Sequence, residues 1–231
     1  MADEADPGAQ SSPQPGVEGR EREQDAPERE QDAPEPEQDA PEPEQDAPET
    51  VELDPELAAR RAAALAQVRL FGDPVLKSRA LPVERFDEDL RAEVARMAAI
   101  MGDALGVGLA ATQLGTMHRL LIYRLGEDAP LAALANPRVD WSSDEREAME
   151  EGCLSLPGVH VDVERSVHVR VRGQDDRGDG LTIEASGLEA RVIQHEIDHL
   201  DGVLILDRTS REERKEAMRA LREAADGARA A

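Results

Sequence analysis

Apolar positions along this chain keep a regular spacing only from about Leu53 onward. Asp54-Pro55-Glu56 reads as an N-cap, a proline at the first helical position and an early acid, and predicts a helix to about Val68. Gly72-Asp73-Pro74 predicts a turn. Asp87 opens a second helix, with Leu90, Val94, Met97, Ala98 and Met101 at helical spacing. The glycine-rich GVGLAATQLG, residues 106–115, breaks that period. Leu120 to Leu125 predicts a short apolar strand. Val167, Val169 and Val171 alternate with His168, Arg170 and Arg172, the pattern of a half-buried strand, and LTIEA at 181–185 predicts another. Ser186, with Glu189 three residues on, predicts a capping box at the head of a further helix. On that helix Leu188, Val192, His195 and His199 fall on one stripe, expected to face inward, and Gly202 stands where a C-terminal cap glycine belongs. A charged helix is expected from Thr209 to about Ala225. Helices and short strands without regular βαβ alternation predict an α+β fold, a compact single domain with short strands around the helix that carries both histidines.

Charge divides the chain. Residues 1–50 carry 17 acidic and 3 basic side chains, and Met1 and Val17 are their only apolar side chains larger than alanine. Such a segment cannot bury enough apolar surface to offset the entropy of ordering, so it is expected to be a disordered acidic tail. Its repeats, EREQDAP twice and EPEQDAP twice over 21–48, have the seven-residue period of a coiled coil. Each ends in proline and lacks an apolar pair, which excludes that structure. Residues 51–231 are long enough for one domain with its own core.

Other features narrow the function classes. No run of 18 apolar residues occurs, so no transmembrane helix is expected. An acidic N-terminus without an apolar leader core argues against secretion, and Cys153, the lone cysteine, forms no internal disulfide, so a cytoplasmic protein is expected. Four aromatic residues in 231 offer little for stacking on bases, and no DNA partner is expected.

The chemistry centres on Gln194-His195-Glu196-Ile197-Asp198-His199. Histidines at i and i+4 share a helix face and can hold one metal, but a catalytic site usually needs a third protein ligand. The long zincin pattern would place it at position 205, which is Ile205 and cannot ligate. A glutamate from the last helix, Glu216 or Glu223, would make a zinc peptidase, though both fit surface ion pairing better. Cys153, in EGCLSLPG at 151–158, would complete a soft site suited to zinc or ferrous iron.

Three motifs in register decide among these. Gly106-Val107-Gly108-Leu109-Ala110-Ala111-Thr112-Gln113, then Glu151-Gly152-Cys153-Leu154-Ser155, then the histidine motif, resemble the three signatures of peptide deformylases. The likeness runs from about Val68 to Asp207 and takes in GDPVL at 72–76, Asn136-Pro137 and GLEAR at 187–191; Thr112 stands where that family often has proline. The helix near 55–68 and the acidic tail lie outside it.

The resemblance implies hydrolytic removal of the formyl group from formyl-methionyl polypeptides. It implies a divalent metal, Fe2+ first and Zn2+ or Ni2+ as substitutes, held by Cys153, His195 and His199. Glu196 would be the general base and acid, and the Gln113 amide and the Leu154 backbone N–H the oxyanion donors. Gly106 and Gly108 would let the peptide approach closely, and Leu109, Leu154 and Val192 are candidates for the methionine pocket. Glu151 and Gln194 are expected to orient their neighbours. Asp198 is expected in a salt bridge, with Arg191 as a candidate partner. A basic stripe on the last helix, Arg211, Lys215, Arg219 and Arg222, suggests weak contact with ribosomal RNA; a solvated helix face is the simpler reading.

Overall fold

The computed structural model describes residues 54–126 and 128–230; the expected acidic tail, residues 1–50, lies outside them. Among the described residues there are four α-helices, α1 (Pro55–Leu65), α2 (Glu88–Asp103), α3 (Gly187–Leu200) and α4 (Arg211–Ala230). Seven strands accompany them: β1 (Gly108–Ala110), β2 (Leu120–Tyr123), β3 (Ala132–Ser142), β4 (Arg146–Cys153), β5 (Leu156–Ser166), β6 (His168–Gln174) and β7 (Gly180–Ser186). A five-stranded antiparallel sheet has the order β1-β2-β3-β6-β7, and β4 and β5 form a separate hairpin. The α+β expectation holds.

The helix starts follow their caps. The Asp54 carboxylate accepts from the Glu56 N–H at 2.9 Å, and that of Asp87 from the Leu90 N–H at 3.3 Å. Alternation along β2 sends its side chains to two cores. Leu120 and Ile122 meet Met97 and Met101 of α2, while Leu121 joins Leu134, Val171 and the Ile193 and Leu200 of α3. The sheet therefore holds α3 on one face and α2 on the other, and each fully buried leucine contributes about 2 kcal/mol. The hairpin has a third core. Leu156, Val159, Val161 and Val163 of β5 pack on Leu204, Leu206 and the Ala217 of α4.

Several expectations need correction. α1 ends at Leu65, and α4 begins at Arg211 and runs past Ala225. The capping box of α3 does not form. The Ser186 hydroxyl lies 2.8 Å from His168 Nδ1, and Glu189 accepts from the Tyr123 hydroxyl at 2.7 Å, so cross-strand partners take both groups. Of the expected inward stripe, Val192 and His199 are buried and His195 partly so, but Leu188 is exposed; the buried face of α3 extends through Ala190, Ile193, Ile197 and Leu200.

The other end of α3 closes as read. Gly202 has φ +74°, the Val203 N–H donates to the Asp198 carbonyl at 2.8 Å, and the Gly202 N–H donates to that of His199 at 3.1 Å, a Schellman motif. A Cβ on Gly202 would lie 2.8 Å from the Lys77 carbonyl, so only glycine fits.

Candidate metal centre

α3 turns His195 and His199 toward the end of β4, with ring centroids 4.9 Å apart. A register shift between Gly152 and Cys153 ends the β4–β5 ladder there, and Cys153 Sγ lies 3.2 Å from His199 Nε2. One ligand atom from each of Cys153, His195 and His199 falls within 4.8 Å of the others. Glu216 and Glu223 do not approach; both are exposed on α4. Ile205 is buried in the hairpin core.

The electrostatics fit a cation. Burial works to raise the Cys153 thiol, but the His199 and His195 imidazoles outweigh it and hold the thiol well below its ordinary range. Burial works to lower His195, yet its contacts with Cys153 and Glu151 and the charge of Glu196 bring it up to about 10. The thiol and His195 thus hold each other in the charged form, and a metal at the centre would take the place of the imidazole proton. Glu151 takes His195 Nδ1 at 2.9 Å, leaving Nε2 for a metal. A thiolate and two imidazoles make a donor set suited to zinc or ferrous iron.

Glu196, one residue from His195, is buried, and its Oε2 has no partner within the protein. Burial pushes its carboxyl above the usual range, chiefly against the opposing pull of His195 and His199. Gly108 makes room for it: a Cβ there would collide with Glu196 Oε1 and lie 3.0 Å from its Cγ. The neighbour that requires this glycine is thus the glutamate. At Gly106 a Cβ would lie 3.2 Å from Leu154 Cδ1.

Gln113 sits in a short 3-10 turn after β1. Its Oε1 accepts from the Ala110 N–H at 2.9 Å, which aims Nε2 toward Ser155 Oγ at 3.3 Å and Cys153 Sγ at 3.7 Å. The cleft over these groups, about 450 Å³, is lined in part by Gly106, Gly108, Leu154, Leu188 and Val192. Leu109 is not brought to it. It is fully buried in the core under α2.

A buried ion-pair array backs the site. Glu151 accepts from Arg165 Nε at 2.6 Å and Nη2 at 2.8 Å, and from Arg191 Nη1 at 2.7 Å. Arg165 Nη1 donates to Asp198 at 2.9 Å, and Arg208 Nη2 donates to the same carboxylate at 2.6 Å. Burial alone would raise Glu151, but Arg165 and His195 draw it down to about 2. The partners of Asp198 are therefore Arg165 and Arg208, and Arg191 serves Glu151. Gln194 orients backbone, donating to the Ser166 and Ala190 carbonyls, both at 2.9 Å. Thr112, the departure from the family pattern, is buried and donates to the His199 carbonyl at 3.2 Å.

Residues 65–215 match the family model described as polypeptide deformylase. The chain belongs to the peptide deformylase family. It is 47% identical over 161 residues to a peptide deformylase of Parafrankia sp., covering 70% of this chain and 87% of that one. The crystal structure of the Thermotoga maritima peptide deformylase superposes with a TM-score of 0.60 at 46% identity, over 62% of this chain and 96% of that one. For a Synechococcus elongatus peptide deformylase in complex with actinonin the TM-score is 0.64 at 42% identity, over 66% and 85%. As a deformylase, the chain is a metal-dependent hydrolase that removes the formyl group from the N-terminus of nascent polypeptides. Among the described residues, no helix is long and apolar enough to cross a membrane.

Proposed function

We propose that this deformylase releases formate from N-formyl-methionyl polypeptides in the cytoplasm, using Fe2+ held by Cys153, His195 and His199, with Zn2+ or Ni2+ able to replace it. The convergence of these three side chains within 4.8 Å carries the reading. When bound, the metal supplies the Lewis acidity that brings water deprotonation toward neutral pH. Glu196 takes the proton from water at its unpartnered Oε2 as oxygen adds to the formyl carbon. The Gln113 amide and the Leu154 N–H donate to the oxyanion; losing one such donor typically costs about 3 kcal/mol of transition-state stabilisation. Glu196 then returns its proton to the nitrogen as the carbon–nitrogen bond breaks, giving formate and a free amine. Val192 and Leu154 line the methionine pocket, and Gly106 and Gly108 keep the approach open.

The test is direct. Protein purified without oxygen should carry close to one metal per chain and release formate from a formyl-Met peptide. A chain beginning at Val51 should do the same at the same rate, because the catalytic unit on this reading is 51–231. Metal-loaded protein that releases no formate would overturn the proposal.

On α4, Arg211, Lys215, Arg219 and Arg222 are exposed, and no ion pair to them is found among the described residues. We propose this stripe as a weak, salt-sensitive contact for ribosomal RNA. Co-sedimentation with ribosomes at low salt should fall when all four charges are reversed; unchanged sedimentation would eliminate the contact.

A further inference from the structure

α1 lies almost entirely ahead of the family-matched segment, which begins at residue 65, yet it reaches the cleft over the metal centre. Arg61 and Leu65, four residues apart and so on one helix face, both line that cleft. The neighbouring face fixes the helix to the domain. Ala64 is buried in the α2 core, Arg60 pairs with Asp103 of α2, and Gln67, just past the helix end, accepts from Arg96 at 3.4 Å. Arg61 is therefore carried on an anchored scaffold.

The charges lining the cleft sort into two kinds. Glu151 and Arg191 are buried and paired with each other, and His195 and Glu196 belong to the metal centre. Arg61 and Glu150 are exposed, and neither has an ion-pair partner among the described residues. Glu150 projects from β4, the strand that carries Cys153, and does not pair with Arg61. Among the described residues, Arg61 thus presents a guanidinium without an ion-pair partner in a cleft whose inner end holds the proposed reacting groups. A guanidinium prefers a carboxylate, with which it forms two parallel hydrogen bonds.

We propose that Arg61 is a specificity-determining residue, engaging an acidic side chain within the first few residues after formyl-methionine. This rests on the deformylase reading above. Arg61 thereby makes the cleft favour nascent chains with an early Asp or Glu.

The test uses the full chain and formyl-Met tetrapeptide amides, whose blocked ends exclude a terminal carboxylate as the ligand. Asp, Asn or Lys is placed in turn at the second, third and fourth positions. At one of these, kcat/KM should favour Asp over Asn by about two- to five-fold, the span of a solvent-exposed ion pair, acting through KM and fading at high salt. The Asp-to-Asn ratio cancels any change in folded fraction, so it remains readable in variants. R61A should bring it to about one, R61E should invert it, and R61K should keep its direction. An Asp-to-Asn ratio equal in the unaltered chain and in R61E at every position overturns this inference alone, because the Asn peptides still report deformylation. No formate from any peptide overturns the activity and this inference with it.

Discussion

Cys153→Ala is expected to lose both tightly bound metal and formate release. The variant keeps two imidazoles, and two protein ligands leave the site incomplete. The loss should exceed the roughly 10–100-fold that removal of a merely orienting partner costs. The fold should survive, because the residue lies at the edge of the hairpin core while Leu156, Val161 and Val163 fill that core. Metal content after desalting, read beside formate production, checks the expectation. Full occupancy with full turnover would remove Cys153 from the proposed ligand set.

Glu196→Gln should separate chemistry from binding. The amide is nearly the same size, so it fits the space that Gly108 leaves, and the three proposed ligands are untouched. What disappears is a carboxylate able to hold a proton between the two halves of the reaction. Turnover should fall by roughly two or more orders of magnitude with metal content unchanged. A metal-loaded Gln variant that turns over normally would remove Glu196 from the mechanism.

The parts of this molecule governed by neighbours in the chain were legible in its sequence. The Asp54 and Asp87 caps, the Gly202 terminator and the three motifs each act over a few residues. β5 is legible too, because Val159, Val161 and Val163 alternate with His160, Asp162 and Glu164. Its signal goes further. Arg165 continues the inward register of those valines, and an arginine at an inward position demands a buried anion. That clue calls for a buried anion without naming Glu151 or Asp198, which only the structure brings to it. β4 gave no such signal, since all its side chains before Glu151 are exposed. β3 was masked by Asn136-Pro137 and by two register shifts against β6. Asn136 sits there at φ +53°, its amide donating to Val83 and Gln174, a tertiary arrangement that local pattern cannot reveal. Ser186 and Glu189 made a valid capping box on paper and lost it to partners from other strands. Leu109 shows the same limit, since an apolar residue inside a functional motif can be pure core.

The Glu151 array has a consequence for how the ion comes and goes. Helix α3 and the hairpin are joined by Arg191 to Glu151 and by Asp198 to Arg165, with Arg165 and Glu151 paired within the hairpin. Glu151 also holds His195 through Nδ1, which fixes the ring and leaves Nε2 facing the proposed site. Because α3 and the hairpin also pack on their own cores, metal removal is expected to leave the fold in place, unlike the small domains that are unfolded until zinc arrives. A preorganised cradle of this kind can surrender one divalent ion and accept another without unravelling.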